Sequence, residues 1–157
     1  MKRALTERLA RYAERLAGAA LMALALVCVW QVFARYVLND APGWTEPVAL
    51  LLLSTVMMLG AACAVRSDTH FGFQLGVDAA PPRVQRVLRI CSQSIVIATG
   101  AGLCVAGVFL TRDQWPVDMA GAPLPQGAAY LPLVIGGALI ALFALERLLL
   151  PPAPKES

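Results

Sequence analysis

Apolar residues in this chain gather into long uninterrupted runs, and charged residues gather between them. Four runs stand out: Gly18 to Leu38, Pro47 to Val65, Ile90 to Leu110 and Leu131 to Leu150. Each is roughly 20 residues long, enough at about 1.5 Å per residue to cross a hydrocarbon core of about 30 Å. The pattern predicts an all-α integral membrane protein with four transmembrane helices, forming a single membrane domain over residues 1–157. Ahead of the first run, Leu5, Leu9, Tyr12 and Leu16 recur at helical spacing, with Arg8, Arg11, Glu14 and Arg15 on the other faces. This predicts an N-terminal amphipathic interfacial helix lying in the membrane surface, with a plain extension of the first span as the alternative.

The connections carry turn chemistry. Asn39-Asp40-Ala41-Pro42-Gly43 predicts a short turn, so the first two spans form an antiparallel hairpin. Thr45 is placed to cap the second span, Glu46 suits a helix N-terminus, and Pro47 fits a first turn. Arg35 and Glu46 flank this turn at similar depth, which predicts a salt bridge or shared hydrogen-bond network between them. The middle loop holds the only histidine, His70, followed by an apolar stretch from Phe71 to Val77 that is too short to cross a membrane. The connection from Thr111 to Tyr130 is rich in proline and glycine and reads as irregular. Pro151-Pro152-Ala153-Pro154 cannot continue a helix and reads as extended.

Composition agrees with the runs. Hydrophobic residues make up 59% of the chain, against about 45–50% in soluble domains. The net charge of +3 conceals a strong asymmetry. Basic residues fall in the N-terminal segment (Lys2, Arg3, Arg8, Arg11, Arg15), the middle loop (Arg66, Arg83, Arg86, Arg89) and the C-terminal end (Arg147, Lys155). Only Arg35 and Arg112 lie elsewhere, among the acids Asp40, Glu46, Asp113 and Asp118. The positive-inside rule then places the N-terminus, middle loop and C-terminus in the cytoplasm. Tyr36, Trp44, Trp115 and Tyr130 cluster at the opposite ends of the spans, as interfacial aromatics do. Arg83, Arg86 and Arg89 lead into the third span at helical spacing, a pattern suited to lipid phosphates. This distribution is not the basic face of a nucleic-acid-binding module. The first run has the charged leader of a signal peptide, but its exit, Phe33 to Leu38, is bulky and lacks a small-x-small site, so cleavage is not expected.

Little reactive chemistry is present. No run carries a charge near its middle, and intramembrane charges ordinarily mark ion or substrate pathways. A small self-sufficient antiporter is therefore disfavoured. One histidine cannot supply paired haem ligands. Cys28, Cys63, Cys91 and Cys104 all lie inside the runs, no two form a C-x-x-C pair, and none lies in an outer loop. There is no Walker motif and no metal-ligand spacing. The chain reads as a non-enzyme without cofactor or metal. It does offer small residues at close-packing intervals: Ala98, Gly102 and Ala106 in the third run, Gly137 and Ala141 in the fourth. Ser54, Thr55, Ser92, Gln93, Ser94 and Thr99 are candidates for hydrogen bonds across helices. Four helices cannot turn all these stripes inward, so some are expected to face a partner.

The ordered set Trp30-Gln31-Val32-Phe33-Ala34-Arg35-Tyr36, Trp44-Thr45-Glu46, Leu59-Gly60-Ala61-Ala62, Val65-Arg66 and His70 resembles the small membrane subunit of TRAP (tripartite ATP-independent periplasmic) transporters, DctQ type. The match in order and spacing covers about residues 30 to 70, and the second half matches in outline. Two positions depart from the pattern: Pro47 stands where the family often has a second acid, and Gln74 stands near another such place. The resemblance implies a multi-pass subunit of the bacterial inner membrane. It implies packing against a large membrane subunit that carries an organic acid, such as a dicarboxylate, with sodium, and delivery of that acid by a periplasmic substrate-binding protein. Membrane lipids complete the expected partners. Expected structural or partner-interface residues are Arg35, Tyr36, Trp44, Thr45, Glu46, His70, Gly102, Ala106 and Gly137. The alternative is a haem-free membrane-anchor subunit of a respiratory oxidoreductase.

Overall fold

The computed structural model describes residues 2–40, 42–67 and 82–149. Helix α1 runs Lys2–Tyr36, α2 Thr45–Ser67, α3 Pro82–Asp113 and α4 Leu131–Leu149, the last preceded directly by a 3-10 turn at Gln126–Tyr130. Among the described residues, four helices are long and apolar enough to cross a membrane: Thr6–Tyr36, Thr45–Arg66, Ile90–Asp113 and Gln126–Leu149. The all-α membrane fold is thus the one the apolar runs predict. His70, Gln74 and the proline-rich tail lie outside the described residues.

One difference concerns the N-terminus. Residues 2 to 16 are helical, but they are not set apart as an interfacial helix. α1 is a single 35-residue helix that continues into the first span. Nothing between Leu16 and Ala25 breaks it, because Gly18 stands alone among alanines and leucines, and helices tolerate a single glycine.

The helices form an open row in the order α1, α2, α4, α3, in which α1 packs on α2, α2 on α4, and α4 on α3. A third of the most apolar window of α4 is buried, against 6–11% in the other three helices, so α4 is the central element. Two of its seams meet neighbours. Gly136, Ile140 and Phe143 face α2, where Ala62, Ile140 and Phe143 make the only buried apolar cluster of the described residues. Gly137 and Ala141 face α3. Glycine is required at both seams. A Cβ at Gly136 would stand 2.5 Å from the Met58 Cβ, and one at Gly137 would stand 2.7 Å from the Cys104 nitrogen. Such close backbone approach is how helices associate when lipid is as apolar as the side chains.

The connection after α3 is ordered. The Met119 N–H donates to the Leu124 carbonyl at 2.9 Å and the Gln126 N–H to the Val117 carbonyl at 2.8 Å, with a bridge between Asp118 and Pro125. The expected irregular loop therefore folds back on itself as a small hairpin. Gly121, at φ 86°, lies against the backbone of Gly43, so this hairpin seats on the α1–α2 turn. A left-handed residue in backbone contact can only be glycine without strain.

Candidate functional site

Among the described residues there is no group of three or more His, Cys, Asp or Glu side chains that could hold a metal ion. What the row offers is exposed helix surface, and two features decide how it is presented.

The first is α3, which carries small residues on two opposite sides. Gly100, Cys104 and Gly107 form the side in contact with α4. A Cβ at Gly100 would stand 2.8 Å from the Ala141 nitrogen, and one at Gly107 would stand 3.0 Å from the Val134 nitrogen. Ala98, Gly102 and Ala106 are two residues out of phase with Gly100 and Cys104, which on a helix is about 200°. They are exposed, and a Cβ at Gly102 would meet open space. The predicted interface residues therefore divide. Gly137 is an internal packing residue, whereas Gly102 and Ala106 lie on a face that no helix among the described residues covers. On α4, Leu131, Ile135, Leu142, Leu145 and Leu149 are also exposed.

The second is a polar clasp where α1, α2 and α4 meet at the end bearing Arg66 and Arg147. The Thr6 hydroxyl donates to the Glu146 carboxylate at 2.7 Å. The Arg66 guanidinium donates to the Thr6 carbonyl and lies 5.7 Å from the centre of the Phe143 ring. Arg147 donates to the Val65 carbonyl at 2.7 Å. Each arginine serves the last turn of its own helix, where a cation complements the helix dipole, and each also ties that helix to a neighbour. The charges at the span ends were visible in the sequence, but their assembly into one clasp was not. It depends on how α1 passes α4, and nothing local encodes that.

At the opposite end, Arg35, Tyr36 and Trp44 are exposed. Thr45 is buried, and its hydroxyl donates to the Pro42 carbonyl at 2.9 Å instead of capping the amides of α2. The hairpin between α1 and α2 is closed by Asn39 at φ 53°, a conformation asparagine tolerates. No ion pair or hydrogen bond joins Arg35 to Glu46 among the described residues. The buried positions here are Ala34 and Thr45, and each charged residue stands one position, about 100°, round from its buried neighbour. The expected hydrogen bonds across helices are also absent at two positions: the Thr55 hydroxyl donates to the Leu51 carbonyl and the Thr99 hydroxyl to the Ile95 carbonyl, each within its own helix. Arg83, Arg86 and Arg89 fall in the first turns of α3, with side chains outside the described residues, as is His70.

Comparison with known proteins bears on the identity of the chain. A family model, described as "Tripartite ATP-independent periplasmic transporters, DctQ component", matches residues 24–151. The chain is 26% identical to a putative TRAP transporter small permease protein of Haemophilus influenzae over 153 residues, 95% of this chain and 92% of the relative. It is 23% identical to the sialic acid TRAP transporter small permease protein SiaQ of Vibrio cholerae over 126 residues, 80% of this chain and 73% of the relative. It is 21% identical to the C4-dicarboxylate TRAP transporter small permease protein DctQ of Vibrio cholerae, over 69% of this chain and 49% of the relative.

Proposed function

The chain belongs to the DctQ component family of tripartite ATP-independent periplasmic transporters, and on that premise we propose that it is the small permease subunit that docks on and braces a larger membrane subunit. In this reading it resides in the bacterial inner membrane with both ends in the cytoplasm. The larger subunit carries an organic acid inward with sodium, after a periplasmic binding protein delivers it. Relatives named for sialic acid and for C4-dicarboxylates support the substrate class, since both are carboxylic acids.

The observation that carries the proposal is the second small-residue side of α3. Ala98, Gly102 and Ala106 offer a helix-packing groove of the kind that Gly100 and Gly107 use against α4, but here the groove is empty. The outer hairpin seated on the α1–α2 turn offers a preformed platform for the binding protein. The chain itself is unsuited to move an anion. The centres of its spans hold no charged side chain, and no helix of the row is broken at mid-depth.

The test is Gly102→Leu. Its Cβ enters open space, so the helical fold is retained by circular dichroism, while co-purification with the large subunit and sodium-driven uptake in liposomes are both lost. A Gly102→Leu chain that still co-purifies with full uptake removes this face from the interface. Uptake by the wild-type chain alone would overturn the bracing role itself.

A further inference from the structure

The helices of the row are staggered against their own apolar stretches. Ala10 of α1, Val65 of α2 and Val96 of α3 all pack against the cluster of Ala62, Ile140 and Phe143. One section across the row therefore cuts all four helices. On α1 that section falls among Arg8, Arg11, Glu14 and Arg15, whereas on α3 it falls well inside the apolar stretch that begins at Ile90. The Cys63 thiol donates to the Ala10 carbonyl at 3.9 Å, so the charged part of α1 lies beside the apolar wall of α2.

The border between charged and apolar residues can be followed from helix to helix. It falls at Arg15/Leu16 on α1, Val65/Arg66 on α2, Glu146/Leu145 on α4 and Arg89/Ile90 on α3. Inter-helix contacts fix the relative heights: Thr6 with Arg66 and Ala10 with Cys63, Gly136 with Met58, Gly100 with Ala141, and Gly107 with Val134. At about 1.5 Å per residue, the border on α2 lies about 12 Å nearer the clasp end than on α1, that on α4 about 15 Å, and that on α3 about 24 Å. The drift follows the order of the row. The far border drifts in the same sense: Arg112 of α3 lies about 8 Å nearer the clasp end than Glu46 of α2.

A bilayer perpendicular to the helices would sink Arg11, Glu14 and Arg15 into hydrocarbon at one edge of the row, where charge is costly. Tilting the row removes the conflict. Three interaxial spacings of 8–10 Å make the row at most about 30 Å wide, so a drift of about 24 Å corresponds to a slope on the order of 40°, the upper end of the range for membrane helices. The candidate spans are 22 to 31 residues long, and at that slope they reach about 25–36 Å along the bilayer normal against a core of about 30 Å, so the shorter spans fit with a few ångströms of local bilayer thinning. We infer that the surface this chain presents to lipid is a slanted apolar belt, and that its helices lie tilted together by on the order of 40° in the bilayer. The belt sets the angle at which the face of Ala98, Gly102 and Ala106 is offered to the larger subunit. In that respect the inference rests on the bracing role, although the slant itself stands on this chain alone.

Four exposed positions lie near one section of the row: Tyr12, Ala61, Leu142 and Ala98. Each is replaced singly by cysteine in a chain whose four native cysteines are serine, and spin-labelled in liposomes. Membrane depth is then read from accessibility to oxygen and to a water-soluble nickel chelate, with and without the large subunit. The slanted belt predicts graded depths, with Tyr12→Cys at the aqueous surface, Ala98→Cys near the bilayer centre, and a spread on the order of 15 Å. Equal depths at the four positions overturn the inference and leave the docking role of Gly102 standing. Oriented infrared dichroism of the unlabelled chain supplies a second reading: a mean helix tilt on the order of 40° agrees, and helices close to the membrane normal overturn it. Loss of co-purification with the large subunit, with graded depths kept, would strike the docking role alone.

Discussion

Two glycine-to-alanine substitutions separate what the stripes of small residues do inside the chain from what they do outside it. At Gly137 the new Cβ would stand 2.7 Å from the Cys104 nitrogen and 2.8 Å from the Gly100 oxygen. Both are backbone atoms of α3, so no side chain can swing away. Ordinary contact begins at 3.4 Å, and α3 and α4 must part by several tenths of an ångström along the seam from Gly100 to Gly107. Overpacking of this kind typically costs about 1–3 kcal/mol. At Gly102 the same methyl meets open space. Alanine gains about 1 kcal/mol of helix propensity over glycine at either position, so that gain cancels in the comparison. The expected outcome is that Gly137→Ala is less stable than Gly102→Ala by about 1–3 kcal/mol, read as a shift of the unfolding midpoint when mixed micelles are titrated with SDS and followed by circular dichroism. Equal midpoints would refute the claim that α3 meets α4 through Gly137 rather than through the Gly102 side.

Two further substitutions probe the ends of the row. Arg66→Ala removes the hydrogen bond to the Thr6 carbonyl and the contact with the Phe143 ring; it should cost about 1.5–3 kcal/mol and speed hydrogen exchange in the first turns of α1, whereas Glu146→Gln keeps an acceptor for Thr6 and should change exchange little. Gly121→Ala imposes a left-handed conformation on a residue that also gains a Cβ 2.5 Å from the Gly43 oxygen; the hairpin should lose its seat at about 1–3 kcal/mol and become more readily cut by protease between residues 114 and 126, and an unchanged cleavage rate would count against the contact.

The spans were legible because each is long enough to satisfy the length requirement of the bilayer with its own residues, a property local to the sequence. The α1–α2 turn was legible for the same reason: Asn39 and Gly43 announce it. The pairing of stripes was not. Ala98, Gly102 and Ala106 recur at four-residue intervals, but Gly100, Cys104 and Gly107 also recur at helical spacing, and a sequence does not say which of two phases turns toward a neighbour. Only the fit of Gly137 between Gly100 and Cys104 decides it. The Arg35–Glu46 pair failed for a related reason. Symmetry about the turn fixes depth along a helix but not rotation about it, and Ala34 and Thr45 took the buried positions. The continuity of α1 was hidden by amphipathicity, which a tilted helix and an interfacial helix share.

The order of the row explains why so much apolar surface is left uncovered. A chain that brought α1 and α3 together would close a bundle and bury its small residues inward. Here α1 and α3 stand at opposite ends, and the clasp of Thr6, Arg66 and Glu146 gathers α1, α2 and α4 at one end only. Among the described residues, the main contacts of α3 are with α4 and the turn before it. A helix tied along one seam by backbone contact is rigid in position but free to be packed on its other side. That combination suits a brace. The Gly137 seam fixes where α3 stands, and in the proposed role the Gly102 side is left for the helix of a partner. For the same reason the two glycines should not substitute for one another: a bulky residue at Gly137 unmakes the brace, and one at Gly102 leaves the brace whole but removes its hold.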